Sequence, residues 1–224
     1  MRASVERFKA FLIDWDGTLI DSLPIKIENA AGLFGEYFGV HPQDVSTAYR
    51  RHSGVPRRIL FDRIATDCIG HGLSEDEFTG LSRAFTDRNR SRLAAEGSLR
   101  PGTLEALARL QKKGALLFIS TSAAQDEIDA LAHHFELDGL CAAIFGSKPG
   151  FSKGREHVGH VMEVFGFDLE NLAGIGDDIQ DMILFNEAGI FAIGITGTRS
   201  KKELVQAGAS LVIDNTEEVI SRVA

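Results

Sequence analysis

The chain has 224 residues, of which 44% are hydrophobic and 25% are charged, and its formal net charge is −8. A chain of this length and composition is expected to form one large globular domain, or one domain that carries an insertion. The negative net charge argues against nucleic acid or an anionic membrane as a general partner, although a few local cations can still hold a small anionic substrate.

The first predicted element is a buried strand that ends in two carboxylates. The apolar run 11–13 predicts the strand, and Asp14 and Asp16 follow it. Because side chains alternate along a strand, two acids that are two residues apart point the same way. Gly17 then allows the backbone to turn tightly beside them. This arrangement suits a divalent cation and a phosphate group.

Residues 23–96 show helical periodicity and no clear strand pattern. Because this segment begins directly after the first acids, we predict that it forms an inserted α-helical cap domain over the active site. The alternative, that these helices belong to the main layer, fits their number and continuity less well. Hinges are expected near Ser22-Leu23-Pro24 and Gly97-Ser98, with a catalytic core of residues 1–22 and 97–224. The predicted helices of the insertion run from Ile25 to Phe38, from Ile59 to Cys68 and from Glu75 to Leu93.

Strand and helix patterns alternate from residue 97 onward. Repeated strand–helix–strand units predict an α/β fold, a Rossmann-like parallel sheet with helices on both faces. In such a sheet, ligands bind beyond the carboxyl ends of the strands, near the switch in strand order. Leu104, Leu107 and Leu110 are expected on the buried face of the first helix. The predicted strands are 115–120, 141–145, 172–175, 190–193 and 211–213, and the predicted helices are 103–113, 125–135, 154–165, 179–188 and about 201–207.

Three residues with hydroxyl groups, Ser120, Thr121 and Ser122, mark the end of the predicted strand 115–120. A hydroxyl group here can hydrogen-bond a phosphoryl oxygen, and the N–H groups at the start of the next helix form a natural anion site. A helix N-cap would explain a hydroxyl group in this place equally well.

Two lysines, Lys148 and Lys153, lie in the segment that joins the predicted strand 141–145 to the helix 154–165. A lysine in a loop is most often only solvated. Neither residue therefore indicates a function by itself, and both gain meaning only from the other elements.

Three further acids, Asp177, Asp178 and Asp181, follow the predicted strand 172–175 directly. Three carboxylates within five residues repel one another unless a cation lies among them. Magnesium, which prefers oxygen ligands, is the expected ion. The dipole of a helix N-terminus would also explain Asp178 and Asp181, but it explains Asp177 less well.

The strings Asp14-Trp15-Asp16-Gly17-Thr18 and Gly176-Asp177-Asp178-Ile179-Gln180-Asp181, with the hydroxyl and lysine elements between them, resemble the motifs of the haloacid dehalogenase superfamily of phosphohydrolases. All four elements occur in the order of that family, each at the end of a predicted strand, which is hard to obtain by chance. The resemblance covers residues 8–22 and 97–215. The insertion is similar only in its position and helical character.

The resemblance implies a role for each motif residue. Asp14 would be the nucleophile and Asp16 the general acid and base, while Asp177 would be a metal ligand. Asp181 would be an outer or occasional ligand, and Asp178 stands where the family often has Ser, so we expect both outside the first ligand sphere. Thr121, with Ser122 beside it, would bind the phosphate group and take part in catalysis, and Ser120 is the alternative. Lys153 would be the catalytic lysine, and Lys148 is the alternative.

The implied reaction is hydrolysis of a phosphate monoester through an aspartyl-phosphate intermediate. The resemblance implies that Mg²⁺ is held by Asp14, Asp177 and the main-chain carbonyl of Asp16. Asp16 also separates the subclasses, because dehalogenases lack an acid at this position, since a halide leaving group needs no proton. Its presence here favours a phosphate ester as substrate.

The leaving group is expected to be recognised by the cap. Residues 49–58 are locally basic, and Gly54-Val55-Pro56-Arg57 resembles a loop that contacts substrate in related phosphatases and mutases. Arg57 is therefore a candidate for binding a second anionic group of the substrate, with a solvated helix face as the alternative. The chain as a whole is similar to the phosphoglycolate phosphatase-like branch.

Two other functions share these features. A phosphosugar mutase of the same fold usually carries a His in the hinge region, and residues 23–26 contain none. A non-catalytic binding protein would be expected to lose a catalytic carboxylate, and none is missing. We expect a monomer or homodimer that acts on a small phosphorylated metabolite. A cytoplasmic location is expected because Cys68 and Cys141 indicate no disulfide framework and the N-terminal residues lack the apolar core of a signal peptide.

Overall fold

The structure, a computed structural model, describes residues 8–222. The described chain divides into two compact units. One unit, the core, joins the chain up to Asp21 to the chain from Leu99 onward, and the other, the helical unit, is Ser22–Ser98. The strands are β1 (Ala10–Ile13), β2 (Leu116–Ala124), β3 (Ala143–Ser147), β4 (Leu172–Gly176), β5 (Phe191–Ile195) and β6 (Leu211–Ile213). The helices are α1 (Leu23–Phe38), α2 (Pro42–His52), α3 (Arg57–Ile69), α4 (Glu75–Glu96), α5 (Thr103–Lys112), α6 (Gln125–His134), α7 (Arg155–Phe165), α8 (Ile179–Glu187), α9 (Lys201–Gln206) and α10 (Glu217–Arg222).

The core is built on one parallel sheet of six strands in the order β3-β2-β1-β4-β5-β6. The chain first adds strands on one side of β1 and then returns to add β4, β5 and β6 on its other side. The strand order therefore switches between β1 and β4, whose residues pair from Ala10 with Leu172 to Ile13 with Ile175. This switch is the place where ligands bind in open α/β sheets.

Apolar side chains cover both faces of the sheet, as expected for buried parallel strands. On one face, alternate strand residues such as Leu12 and Phe118 pack against Val161 of α7 and against Met182 and Phe185 of α8. Helices α5 and α6 precede β2 and β3, which the chain adds in the opposite direction along the sheet. Because such connections are right-handed, α5 and α6 lie on the other face. The predicted α/β fold is thus the observed one.

The helical unit has a core of its own. Phe34 of α1, Phe61 of α3 and Phe85 of α4 are buried together, with Phe34 and Phe85 edge-on to Phe61. Helices α1, α3 and α4 lie close to the predicted ones. Helix α2 is not predicted by the sequence, because its only buried residues are Val45, Ala48 and Tyr49 and the rest of the segment is polar.

Several predictions about the core need correction. Leu104 is 37% exposed, because the buried face of α5 carries Thr103, Ala106, Leu107 and Leu110 instead. Strand β2 continues past Ser120 to Ala124 with a break in its register, and β3 begins two residues later than expected, at Ala143. Helix α10 is short and was not predicted. Among the described residues, no helix is both long and apolar enough to cross a bilayer.

Candidate active site

Three carboxylates meet at the switch between β1 and β4. Asp14 follows β1 directly, and its amide donates to the carbonyl of Ile175 at 2.8 Å, which aligns the two strand ends. Asp177 follows β4, and Asp181 lies in the first turn of α8. One carboxylate oxygen of each acid lies within 4.8 Å of the others, and all three residues are buried. The topology of the sheet thus brings together acids that are more than 160 positions apart in the chain.

The ammonium group of Lys153 lies within this cluster. It donates to Oδ1 of Asp14 at 2.5 Å and also to Oδ1 of Asp181, and the side chain is only 5% exposed. The alternative lysine, Lys148, is exposed, and its ammonium lies 5.0 Å from the centre of the Phe151 ring. The structure therefore places Lys153, and not Lys148, against the acids.

The charges in the cluster are strongly coupled. Burial raises the pKa of Asp14 well above its usual value, and the carboxylate of Asp181 raises it further, while Lys153 offsets only part of this effect. Burial and Asp181 likewise raise the pKa of Asp177 to about 7. Burial alone would lower the pKa of Lys153, but Asp14 and Asp181 outweigh it and raise that pKa above its usual value. Lys153 is therefore charged.

This donor set fits a divalent cation. When ionised, the three carboxylates and one ammonium group carry two more negative charges than positive ones. Buried like charges destabilise one another unless a cation offsets them. Carboxylate oxygens are the ligands that Mg²⁺ prefers, and an ion of charge +2 would neutralise the excess. Asp14, Asp177 and Asp181 are the side chains that could hold it.

The turn after Asp16 packs closely against the side chain of Asp177. Gly17 has φ +79°, and a Cβ atom on it would lie 2.1 Å from Oδ2 of Asp177, so only glycine fits this position. The next residue, Thr18, is buried and donates its hydroxyl to Oδ1 of Asp177 at 2.9 Å. Residues 14–18 thus supply one carboxylate to the cluster, that of Asp14, and hold a second, that of Asp177, in place.

The N-terminus of α8 explains the two acids that were expected outside the first ligand sphere. Asp181 accepts hydrogen bonds from the amides of Asp177 and Asp178, both at 3.0 Å. Gly176 leaves the room for this, since a Cβ atom on it would lie 2.4 Å from Cγ of Asp181. Asp178 caps the helix by accepting from the amide of Gln180 at 3.0 Å. Capping thus accounts for Asp178, whereas Asp181 both caps and belongs to the cluster.

The carboxylate of Asp16 does not belong to this cluster. Asp16 is half-buried, and it raises the pKa of Asp14, so it lies close enough to interact with it. Its predicted contribution to the metal was the main-chain carbonyl, which stays a prediction. A position beside the cluster but outside it is consistent with a group that moves protons.

The hydroxyl candidates of β2 have separate environments. Ile119 pairs with Ile13, so the residues that follow it lie at the same sheet edge as Asp14. Thr121 is buried and accepts from the amide of Ala123 at 3.1 Å, and Ser122 is half-buried. The Ser120 hydroxyl instead lies 2.9 Å from Nδ1 of His157, on α7. Burial and Lys153 lower the pKa of His157 to about 4, so its ring is neutral.

Arg57 lies in the helical unit, at the first position of α3. One of its guanidinium nitrogens donates to the hydroxyl of Thr86 at 2.6 Å and to the hydroxyl of Ser82 at 3.3 Å. The guanidinium also lies 5.0 Å from the centre of the Phe85 ring. These contacts fix the side chain against α4, and its role toward a substrate stays a prediction.

We expect Lys153→Met to lower catalytic activity by about 100-fold or more, because the buried carboxylates of Asp14 and Asp181 lose the ammonium group that they share. The matched change Lys148→Met removes an exposed lysine and is expected to leave activity within about 2-fold. Phosphate release from an aryl phosphate at saturating Mg²⁺ measures both. A large loss in Lys148→Met with little change in Lys153→Met would show that the assignment of the lysine is wrong.

Comparisons with known proteins indicate the same family as the sequence motifs. A family model described as haloacid dehalogenase-like hydrolase matches residues 8–189. The phosphoglycolate phosphatase of Caulobacter vibrioides is 26% identical over 208 residues, which are 92% of this chain and 86% of that protein. The phosphoglycolate phosphatase of Chromobacterium violaceum is 27% identical over 194 residues, which are 86% of each chain.

Solved structures show the same fold. A predicted phosphoglycolate phosphatase from Haemophilus somnus superposes with a TM-score of 0.83 at 21% identity, over 96% of this chain and 97% of that one. At this identity the likeness concerns the fold alone. The resemblance inferred from the motifs, to the phosphoglycolate phosphatase-like branch, and the Rossmann-like α/β core are both confirmed.

Proposed function

Since this chain belongs to the haloacid dehalogenase-like hydrolases and is a phosphatase of that family, we propose that it is a magnesium-dependent enzyme that hydrolyses a small phosphate monoester through an aspartyl-phosphate on Asp14. The observation that carries the proposal is the buried cluster of Asp14, Asp177, Asp181 and Lys153. Its acids are arranged for a cation, and one of them, Asp14, directly follows the central strand β1.

In the first step, a carboxylate oxygen of Asp14 attacks phosphorus, and the bond between phosphorus and the leaving oxygen breaks. Asp16 gives its proton to that oxygen. Lys153 favours the ionised form of the Asp14 carboxylate and offsets charge on the phosphoryl group. A bound divalent cation supplies the remaining positive charge that an anionic nucleophile needs beside an anionic phosphate.

In the second step, water attacks phosphorus, and the bond between phosphorus and Asp14 breaks. Asp16 takes a proton from this water and so returns to its starting state. The two acids need different environments for these roles. Asp14 lies against Lys153, whereas Asp16 is half-buried outside the cluster. Thr121 is proposed to hydrogen-bond a phosphoryl oxygen, with Ser122 beside it.

The substrate is proposed to be a phosphorylated metabolite with a second anionic group. The curated relatives named phosphoglycolate phosphatases support this class. We propose that the helical unit acts as the cap and that Arg57, fixed by Ser82 and Thr86, binds the second group. The monomeric or dimeric state, the cytoplasmic location and the absence of a nucleic-acid or membrane partner stay predictions from the sequence.

A panel of phosphorylated metabolites, assayed for phosphate release with Mg²⁺ and with a chelator, tests the proposal. We expect release that requires Mg²⁺ and is fastest with small substrates that carry a carboxylate. Transfer of the phosphoryl group to a sugar instead of water would favour the mutase. Release from no member of the panel would favour a protein that binds a phosphorylated ligand without catalysis.

A further inference from the structure

A loop outside all four motifs contacts the carboxylate cluster. This loop, residues 196–200, joins β5 to α9, and we call it the β5–α9 loop. The side chain of Thr198 lies beside Gly17, next to the carboxylate of Asp177, and interacts with that carboxylate. Its neighbour Arg199 donates from Nε to Oδ2 of Asp178 at 2.9 Å. Consecutive residues of the loop thus interact with the two consecutive acids that follow β4.

A second arginine, Arg100, forms hydrogen bonds both with this loop and with the loop after β1. Nη1 of Arg100 donates to the carbonyl of Gly17 at 2.5 Å, and Nη2 donates to the carbonyl of Thr196 at 2.9 Å. A planar guanidinium group holds two acceptors in a fixed geometry, which a lysine cannot do. The approach is close, since a Cβ atom on Gly197 would lie 2.8 Å from Nη1 of Arg100.

Asp177 is consequently held from two sides by loops that the arginines fix. Thr18, in the loop after β1, donates a hydrogen bond to Asp177 at 2.9 Å, and Thr198, in the β5–α9 loop, interacts with the same carboxylate. The ion pair of Arg199 with Asp178 is mostly shielded from solvent, with side chains 25% and 12% exposed. It also neutralises Asp178, whose carboxylate would otherwise add a fourth negative charge beside the cluster.

We propose that Arg100 and Arg199 are positioning residues that set the affinity of the carboxylate cluster for its divalent cation. They act through the two threonines that orient Asp177 and through the neutralisation of Asp178. The inference rests on the proposed metal dependence and goes beyond it, because it assigns a role to residues that none of the motifs contains.

Magnesium binding to the metal-free protein tests this inference directly. The only tryptophan of the chain, Trp15, is buried between Asp14 and Asp16, so its fluorescence can report titration with MgCl₂ alone, and calorimetry provides a second readout. We expect Arg199→Gln and Arg100→Gln to raise the dissociation constant for Mg²⁺ by about 10-fold, the lower end of the effect of removing a direct partner of a metal ligand, because the arginines act one contact further out. The value of kcat at saturating Mg²⁺ should fall by less than the dissociation constant rises.

Three further variants separate positioning from a general effect on folding. Arg199→Lys keeps the charge and should recover part of the affinity. In the Asp178→Ser background, Arg199→Gln should weaken Mg²⁺ binding less than in the wild type, because the charge that Arg199 neutralises is gone. Arg155→Gln, a matched change at an exposed arginine of the same unit that donates to the Glu187 carbonyl, should leave Mg²⁺ affinity unchanged.

Equal Mg²⁺ affinity in the wild type, Arg199→Gln and Arg100→Gln would overturn the inference and leave the proposed function intact. The same holds if the melting temperature falls in these variants with no change in Mg²⁺ affinity. Absence of Mg²⁺ binding in the wild type would overturn both the inference and the proposed metal dependence.

Discussion

Asp14→Asn is expected to lower phosphate release by at least about 1,000-fold, because the amide is a poor nucleophile and cannot form the covalent intermediate. The side chain has nearly the same shape, and its Oδ1 can still accept from Lys153, so we expect the fold to be kept. Phosphate release from an aryl phosphate at saturating Mg²⁺ measures the loss. Asp138→Asn, at an exposed acid of the core unit, is the matched control and should retain full activity.

Asp16→Asn separates the two steps of the same reaction. An aryl leaving group needs little protonation, so attack by Asp14 should continue, while hydrolysis of the intermediate loses its base. The variant should therefore accumulate phosphorylated protein, which mass spectrometry detects on the peptide that contains Asp14. Full activity of Asp14→Asn, or a phosphate attached elsewhere in the chain, would contradict the mechanism.

Asp177→Asn is expected to stabilise the metal-free protein at pH 8 and to remove its stabilisation by Mg²⁺. The pKa of Asp177 rises from 3.8 to about 7 in the folded state. The folded protein thus binds the proton more tightly than the unfolded chain does, so stability falls as pH rises from about 4 to 7. An asparagine does not titrate and should avoid a cost on the order of a few kcal/mol, equivalent to roughly 5–10 °C in melting temperature.

Melting temperatures of the wild type and Asp177→Asn, measured with a chelator and with Mg²⁺ from pH 5 to pH 8, check this result. The advantage of the variant should grow with pH and plateau above about pH 7, and added Mg²⁺ should reverse the order of the two proteins. Asp138→Asn should show no such growing advantage, because His133 lowers the pKa of Asp138 and the carboxyl is ionised in the folded and the unfolded protein alike over this range. A variant less stable than the wild type at pH 8 without metal would contradict the charge analysis.

The parts of the site that could be predicted from the sequence are those that follow a strand directly. Asp14 and Asp177 stand at strand ends, and a parallel sheet brings such ends to one edge, so local patterns are enough to place them together. Lys153 was preferred over Lys148 only through the family resemblance. The structure supplies the physical reason, since only Lys153 is buried against Asp14 and Asp181.

The residues that could not be predicted act across the chain. Arg100 contacts carbonyls of Gly17 and Thr196, which are 83 and 96 positions away, and nothing in the residues around it marks it as special. Thr198 and Arg199 lie in a loop whose course depends on how β5 and α9 are packed. His157 has the apolar neighbours of an ordinary core residue, and its contact with Ser120 depends on the placement of α7 against β2. Only a signal that relates distant positions could have found them.

The chain leaves the core after Asp21, forms the helical unit, and returns to the core at Leu99. Ile20 and Leu99 form an antiparallel bridge, and the amide of Arg100 donates to the carbonyl of Leu19 at 2.8 Å, so the exit and the return are neighbours. A segment whose two ends meet in this way can be exchanged for another at little cost in chain entropy. The helical unit of this chain can therefore be replaced without rebuilding the sheet that carries the carboxylate cluster.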